Sequence, residues 1–393
     1  MHVSMKHLLQ QTKGALNIPA RPFCLGKETE MKKKGVGKKI GKAIAVVLAC
    51  VIVVGVAGYF AGGVNTPRAV TGYRAFLANA TEYIGRGVRG AIKTDNDYTG
   101  YTELAAIPET ENGYVPQGYC YCEAAGAYVL SYYHDDKASV LSFVDAATGE
   151  RTKTLHLQNA DGTDFTGHAG GLADGGAYLY LCSGNSIYRF SPETIGALPD
   201  GGTLVLDSFV DTDVRCSYIH CDGTYLYAGE FYTYYPDARY GTDETHHMQM
   251  SMTEIHFSRL NAYALEALNA AFDAGNGMIP IPAFACTTPN LVQGMARTAD
   301  GGFALSTSYG RNTDSHLLYY TDVTAREPAY YLTVPGGEVP VYALTKDTQT
   351  QSLRLPPLLE GVDMKDDAVT GIFESGAQKY SDGKFPLNQI CAF

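Results

Sequence analysis

The sequence of 393 residues contains no tryptophan, and only 18% of its residues are charged. It also contains no GxSxG elbow, HExxH pair, P-loop, or GxGxxG turn placed between a strand and a helix. The common serine-hydrolase, zinc-peptidase and nucleotide-binding classes therefore have no support in its motifs. Glycine (43 residues) and tyrosine (29 residues) are abundant, which favours many short strands and turns over long helices.

Positive charge is scarce beyond the N-terminal region. Residues 1–42 contain ten Lys and Arg against two Glu, a net charge of +8, so the remaining residues carry −19. An acidic body of this size repels phosphates and argues against nucleic acid as a partner.

A single long stretch has no charged residue at all, from Ala43 to Val64. Twenty-two apolar or small residues in a helix are long enough to cross the hydrocarbon core of a bilayer. The lysines that precede it place the N-terminus in the cytoplasm and the rest of the chain outside. The sequence therefore predicts a single-pass cell-membrane protein, and a secreted protein with a cleaved signal peptide is the alternative.

Four regions follow from this interpretation. Residues 1–42 are a basic cytoplasmic tail. The stretch that begins at Met31 resembles a bacterial signal-anchor start by itself, so residues 1–30 are an over-extended start or a disordered tail. Residues 43–64 are the anchor, 65–100 a linker, and 101–393 an extracytoplasmic domain.

The nine cysteines form no CxxC pair and are odd in number. Their spacing predicts neither a zinc site nor a disulfide framework. Cys120 and Cys122 share one face of a strand and are expected to be small buried hydrophobes, with an extracellular disulfide as the alternative.

Five similar stretches follow the linker, and each consists of a glycine-containing strand, a turn, an alternating strand rich in Tyr, Leu and Val, and usually a third strand. They are anchored at Gly118, Gly170, Ser217, Gly294 and Gly361. RTKTLHL and GTLVLDSFV supply fourth strands. This period predicts an all-β, five-bladed β-propeller, with a β-sandwich as the alternative.

Two insertions interrupt the period. One starts at Tyr232 and lies between the second and third strands of the third repeat. The other, LNAYALEALNAAFDAG from Leu260, has apolar residues at helical spacing and predicts one short amphipathic helix on the outside.

Strand-one starts and strand-two ends of a blade meet at one face of the central channel. The sequence places polar and aromatic residues at these points, so we expect a site at the channel mouth. Three glutamates are the candidate acid/base residues: Glu374, Glu360 and Glu230. The candidate ligand-binding residues are Gln117, His168, Tyr133, Tyr232, Gln293, Tyr309, Arg311 and Asn312. Arg311 has the planar fork that clamps a carboxylate or phosphate.

No metal site is predicted. The adjacent histidines His246 and His247 point in different directions, and Asp207, Asp211 and Asp213 are expected to form a solvated rim. No cofactor is expected either, although a channel-bound cation or ordered water is compatible with the polar lining.

The first and fourth repeats, PQGY...AYVLSYYHDDKASVLSFVDAATGE and VQGMA...GGFALSTSYGRNTDSHLLYY, resemble units of secreted five-bladed glutaminyl-cyclase-type propellers. The resemblance implies a propeller fold and a channel carboxylate that activates the N-terminal amine of a glutaminyl peptide. The second strands of these two repeats read VLSYY and ALSTS where the family often has an acidic residue; tip carboxylates lie instead in the third and fifth repeats, as Glu230 and Glu374. The chain also resembles membrane-anchored propellers of Gram-positive bacteria, for which the resemblance implies no reaction.

These observations predict a membrane-anchored extracytoplasmic propeller that binds a small polar ligand, glycan or peptide end at the channel mouth. A channel-site enzyme is the second hypothesis, with cyclase, hydrolase or lyase chemistry on the glutamates. An enzyme requires two mouth carboxyls within reach of one bound atom, one of them with a raised pKa. A protein-interaction platform is the third hypothesis and requires its largest apolar patch away from the channel.

Overall fold

The computed structural model describes residues 67–71, 74–80, 84–85, 94–233, 240–251, 254–275 and 277–393. The predicted tail 1–42 and anchor 43–64 lie outside these residues. Within the described ranges, no helix is both long and apolar enough to span a bilayer.

Twenty-six strands are present in the described residues. In chain order the first twelve are β1 (Arg68–Ala69), β2 (Thr102–Ala106), β3 (Val115–Cys122), β4 (Ala127–Tyr133), β5 (Val140–Asp145), β6 (Arg151–Asn159), β7 (Gly171–Asp174), β8 (Leu179–Ser183), β9 (Ser186–Phe190), β10 (Thr203–Leu206), β11 (Phe209–Asp211) and β12 (Cys216–Cys221). The remainder are β13 (Tyr225–Glu230), β14 (Met248–Gln249), β15 (Ile255–His256), β16 (Ser258–Ala264), β17 (Phe284–Thr288), β18 (Val292–Arg297), β19 (Phe303–Thr307), β20 (Ser315–Tyr320), β21 (Tyr330–Val334), β22 (Gly337–Ala343), β23 (Gln349–Leu355), β24 (Leu359–Lys365), β25 (Ala368–Phe373) and β26 (Gln389–Ala392).

Six sheets result, each described by its strand order. Sheet 1 is β3-β4-β5-β6-β10, sheet 2 is β7-β8-β9-β11, and sheet 3 is β12-β13-β16-β17-β22-β21. Sheet 4 is β18-β19-β20-β23, sheet 5 is β24-β25-β26-β2, and sheet 6 is β1-β14-β15. The chain folds as an all-β propeller, because the first strands of sheets 1 to 5 lie side by side around a common centre.

The hydrophobic core lies between neighbouring sheets. Separate apolar clusters fill the spaces between sheets 1 and 2, 2 and 3, 3 and 4, 4 and 5, and 5 and 1. Because each of these sheets is covered on both faces, a second strand such as β4 is buried along its whole length. Each fully buried Leu or Val contributes about 1.5–3 kcal/mol through removal of apolar surface from water.

The predicted number of five sheets is wrong, since the described residues form six. Sheet 6 pairs Arg68 of β1 with Gln249 of β14, and so joins the segment before the repeats to the insertion of the third repeat. Two-residue strands leave no alternating pattern in the sequence, so a periodicity argument cannot detect them.

Two predicted elements have different boundaries in the structure. GTLVLDSFV, expected to be one fourth strand, supplies β10 to sheet 1 and β11 to sheet 2. The predicted helix from Leu260 begins only at Leu265, as α2 (Leu265–Ala274), because the preceding residues are the end of β16. Another helix, α1 (Pro192–Ala197), follows the N-cap residue Ser191, whose side chain accepts a hydrogen bond from the Thr194 N–H.

Sheet 5 combines chain segments that are far apart in sequence. Its outer strand β2 pairs antiparallel with β26, and Thr102 lies opposite Ala392. The last residues of the chain therefore lie between strands from the beginning and the end of the repeats.

Candidate active site

The channel mouth is shaped by a recurring irregularity in the first strands. β3, β12, β18 and β24 each carry a β-bulge near their start, and a bulge re-aims the side chain at that position. Gln117 of β3, Gln293 of β18 and Glu360 of β24 occupy these bulges and face one cavity.

Glycines after two of these residues explain the close approach of the strands. A Cβ on Gly294 would lie 2.9 Å from the Glu360 carbonyl oxygen, and a Cβ on Gly361 would lie 2.8 Å from the Tyr119 nitrogen. Any larger residue would push neighbouring first strands apart. The QG and EG pairs in the sequence therefore combine a channel-facing side chain with a contact point between sheets.

Serines in the second strands hold the same strands together. The Ser131 hydroxyl donates to the Ala169 carbonyl at 2.7 Å, and the Ser306 hydroxyl donates to the Glu360 carbonyl at 2.7 Å. These are the serines of VLSYY and ALSTS. The two second strands therefore use these serines for hydrogen bonds between sheets.

The cavity has a volume of about 570 Å³, which is sufficient for a small organic ligand. Its ionisable and amide lining consists of Gln117, His168, Arg215, Gln293, Arg311, Glu360 and Glu374. Its aromatic lining consists of Phe231, Tyr240, Tyr309 and Tyr380.

Two carboxyl groups meet at the cavity wall. Glu374 begins a short 3-10 turn directly after β25, and Glu360 lies on the paired strand β24. Their side chains are hydrogen-bonded to each other and only 7% and 4% exposed. Burial, with the neighbouring charge of Glu374, raises the pKa of Glu360 well above its usual range. Of the two carboxyls, Glu360 therefore holds its proton more tightly, and it donates that proton in a hydrogen bond to Glu374.

Glu374 is the member of the pair that can lose its proton near neutrality. Burial raises its pKa to about 7, although the hydrogen bonds from Gln117 and Glu360 and the charge of Lys379 act in the opposite direction. A carboxyl with this pKa is present in both forms at pH 7, as general acid/base catalysis requires.

Each carboxyl has one amide donor from a neighbouring sheet. The Gln117 side chain of sheet 1 donates to Glu374, and the Gln293 side chain of sheet 4 donates to Glu360 at 2.8 Å. Amide donors stabilise the pair without neutralising it, so its charge stays available to a ligand.

His168 lines another side of the cavity. Its ring stacks on Tyr133, with centroids 4.2 Å apart and planes inclined by 22°. The ring is solvent-exposed at the cavity mouth, and partial desolvation there, together with the charges of Lys379 and Arg215, lowers its pKa to about 4. The imidazole is therefore neutral at pH 7, and one of its nitrogens can accept a hydrogen bond from a ligand.

Three rings form an aromatic wall, which we define as Phe231, Tyr240 and Tyr309. Phe231 lies 5.6 Å from Tyr240 and 6.1 Å from Tyr309 between centroids, and the two tyrosines are 6.1 Å apart. Rings in mutual edge or tilted contact present a fixed apolar surface with polar hydroxyl tips.

Arg311 is held at the rim. It forms an ion pair with Asp382, and its guanidinium lies 5.1 Å from the centre of the Tyr380 ring. Both partners of the ion pair are solvent-accessible, so the pair is weak and a ligand anion can compete for the guanidinium.

Seven of the eleven residues predicted for the site line this cavity; the roles given to them stay predictions. They are Gln117, His168, Gln293, Tyr309, Arg311, Glu360 and Glu374. Tyr133 lies behind His168, and Asn312 is solvent-exposed beside the rim.

Glu230 and Tyr232 lie elsewhere. The Glu230 carboxylate is 1% exposed and accepts hydrogen bonds from His246 Nδ1 at 2.9 Å and the Arg259 N–H at 3.0 Å. Tyr232 stacks on Phe257 at 4.6 Å and donates a hydrogen bond to Asn79. Both side chains turn into the insertion that covers sheet 3, so they do not face the cavity as the strand-end argument predicted.

Four of the charged and aromatic lining residues were not among the predicted site residues: Arg215, Phe231, Tyr240 and Tyr380. Arg215 starts the third repeat and could have been found from its position before β12. Tyr240 belongs to the insertion and Tyr380 to a 3-10 turn, where repeat position gives no guidance.

The described residues contain no group of three or more His, Cys, Asp and Glu side chains arranged to hold a metal ion. Asp213 instead pairs with Arg259 and accepts a hydrogen bond from Asn261 at 2.7 Å. The carboxyl pair of the cavity has amide partners and a shared proton, which suits proton transfer.

No protein-family model and no curated protein matches the chain. Solved structures with a similar arrangement include glutaminyl cyclase from Myxococcus xanthus, with 11% identity, a TM-score of 0.37, and coverage of 75% of this chain and 94% of that one. Aldose sugar dehydrogenase from Streptomyces coelicolor, solved with PQQ bound, has 15% identity, a TM-score of 0.39, and coverage of 74% and 95%. A GH43_1 enzyme from Xanthomonas citri has 12% identity, a TM-score of 0.40, and coverage of 75% and 89%. These similarities are too low to transfer an activity.

Proposed function

We propose that the cavity is an acid/base active site for acyl transfer or hydrolysis on a small polar substrate. The observation that carries this proposal is the Glu360–Glu374 pair, which is buried, hydrogen-bonded, and open to a cavity of about 570 Å³. Two carboxyls this close with raised pKa values are what a catalytic site requires and a purely binding site does not.

The two carboxyls take different roles. Glu374 removes a proton from the attacking amine, hydroxyl or water, because its pKa of about 7 makes it a base at neutral pH. Once Glu374 has taken up that proton it no longer requires the hydrogen bond from Glu360, which can then direct its own O–H to the carbonyl oxygen on which negative charge develops.

The geometry argues against glycoside hydrolysis by this pair. Catalytic carboxyls of glycosidases stand about 5–5.5 Å apart in retaining enzymes and farther apart in inverting ones. Glu360 and Glu374 are in direct hydrogen-bond contact, which leaves no room for a sugar carbon between them.

Other lining residues orient the substrate. Arg311 and Arg215 supply positive charge for a carboxylate or another anionic group, and the neutral His168 accepts a hydrogen bond. The aromatic wall packs against the apolar part of the substrate.

The aromatic wall itself favours a second candidate, a binding module that holds a glycan or peptide end without converting it. In that case the carboxyl pair is only a hydrogen-bonded connection between sheets 1, 5 and 4 through Gln117 and Gln293. A protein-interaction platform stays a prediction from composition alone.

We also propose that the propeller is held at the outer face of the cell membrane by residues 43–64. The support is the uncharged run and the lysines before it. Protease treatment of intact cells should digest the propeller, and alkaline carbonate should leave it in the membrane fraction; release by carbonate would favour the cleaved, secreted form.

The catalytic proposal can be tested with a defined set of probes: glutaminyl dipeptides, N-acetylated amino-acid amides and nitrophenyl acetate. Each is incubated with the wild-type protein and with Glu374→Gln, and conversion is followed by NMR or absorbance. We expect conversion of at least one probe by the wild type and none above background by the variant. Probes that raise the melting temperature without being converted would support the binding module. Equal conversion by both proteins would overturn the role of Glu374.

A further inference from the structure

Two buried cysteines meet where sheet 2 packs against sheet 3. Cys182 lies in β8 and Cys216 begins β12, and they are 0% and 3% exposed in one apolar cluster. The Cys216 N–H donates to the Gly184 carbonyl at 2.7 Å, which fixes the start of β12 beside the end of β8. The Cys182 thiol is an immediate electrostatic neighbour of the Cys216 thiol.

We propose that Cys182 and Cys216 form a disulfide that joins sheets 2 and 3 at the wall of the cavity. All seven described cysteines are in the thiol form in the structure, and this pair shares one buried cluster while its members lie on two different sheets. Cys216, Ser183 and Gly184 all line the cavity, so the bond would fix the part of the wall between His168 and Arg215.

The bond requires an oxidant, for which we name a disulfide of a small thiol or of a thiol oxidoreductase. One cysteine thiolate attacks that disulfide and forms a mixed disulfide with release of one thiol. The second cysteine then attacks the mixed disulfide, which forms the Cys182–Cys216 bond and releases the second thiol. Two protein thiols are oxidised and one external disulfide is reduced to two thiols.

Burial determines when this exchange occurs. It raises the pKa of the Cys216 thiol well above its usual range, so little thiolate exists in the folded protein and exchange is slow. The disulfide therefore forms during folding, while sheets 2 and 3 are still assembling. An extracytoplasmic location supplies the oxidising conditions.

The experiment compares full-length protein in detergent that is denatured, reduced, and refolded with either a glutathione redox buffer or excess reductant. Free thiols are alkylated and the digest is mapped without reduction. We expect one cross-linked peptide, Cys182 with Cys216, after oxidative refolding only. The melting temperature of the oxidised protein should exceed that of the reduced protein by roughly 5 °C, because the bond closes a loop of more than 30 residues.

Cys182→Ala and Cys216→Ala should each abolish this difference in melting temperature, and Cys286→Ala, another buried cysteine of sheet 3, should retain it. The wild-type peptide map needs no variant and remains decisive if a variant does not fold. Complete alkylation of Cys182 and Cys216 after oxidative refolding would overturn the proposal. Linkage of either cysteine to a different partner would overturn it as well.

Discussion

Glu230 and Glu374 occupy equivalent places in two repeats, yet their surroundings differ. Glu230 ends β13, the second strand of sheet 3, and Glu374 follows β25, the second strand of sheet 5. Both are buried. Glu230 has a histidine and two backbone N–H groups as partners, whereas Glu374 has one amide and a second carboxyl.

The comparison distinguishes a carboxylate that connects parts of the structure from a carboxyl group that can take part in proton transfer. A buried carboxylate surrounded by donors has its hydrogen-bonding capacity satisfied. A buried carboxyl beside another must share a proton, and it costs free energy to lose that proton. The partners of each glutamate, rather than its repeat position, indicate its role.

The largest expected effect is a loss of catalytic activity that distinguishes the two glutamates. Glu374→Gln removes the base while keeping the size of the side chain, so turnover of any probe accepted by the wild type should fall by about 10²–10⁴-fold. The matched control is Glu230→Gln, which should retain the wild-type kcat because this side chain does not face the cavity. Urea unfolding should show the reverse ranking, since the amide group introduced by Glu230→Gln would oppose backbone donors and cost about 1–3 kcal/mol.

A variant Glu230→Gln that loses activity while keeping its stability would contradict the structural role assigned to Glu230. A variant Glu374→Gln that loses stability but still turns over substrate at the wild-type rate would contradict the catalytic role assigned to Glu374.

The next effect concerns the pH dependence of stability. Glu374 and Glu360 have pKa values in the folded protein that are raised above those of the unfolded chain. The stabilising contribution of Glu374 is complete below about pH 4.5 and is lost as pH rises through about 7. Glu360 contributes in the same direction, and its loss is complete only at higher pH. Between pH 5 and pH 8 we expect the wild type to lose at least about 2–3 kcal/mol relative to the double variant Glu360→Gln/Glu374→Gln, which is the share of Glu374 alone.

Urea unfolding at each pH measures this difference. Unfolding free energies that run parallel in the two proteins would show that the pair has ordinary pKa values in solution, and the contrast with Glu230 would then disappear.

The smallest change in stability is expected at the rim. Arg311→Ala removes an accessible ion pair with Asp382, so the free energy of unfolding should change by no more than about 0.5–1 kcal/mol. The dissociation constant of an anionic ligand should rise by about tenfold. Calorimetric titration with a ligand from the probe screen provides the measurement, and Arg354→Ala, an arginine paired with Asp314, is the control. A large loss of stability with unchanged affinity would assign Arg311 to holding sheets 4 and 5 together.

Several features of the fold could be predicted because the residues that produce them recur in each sequence repeat. The glycine anchors and the alternating second strands identified the repeats, and Gln117, Gln293 and Glu360 were placed at one cavity by that recurrence. The insertion around His246 could not be placed, because its contacts depend on tertiary packing. For the same reason Glu230 was assigned to the mouth, although His246 Nδ1 binds its carboxylate.

The pairing of β2 with β26 in sheet 5 has a consequence for biosynthesis. The ring closes with strands from well-separated parts of the chain, β2 and β26, so it cannot be completed until β26 has been synthesised. Non-local closure of this kind slows folding. Deletion of β26 would remove the strand that joins β2 to β25 and would leave the ring open.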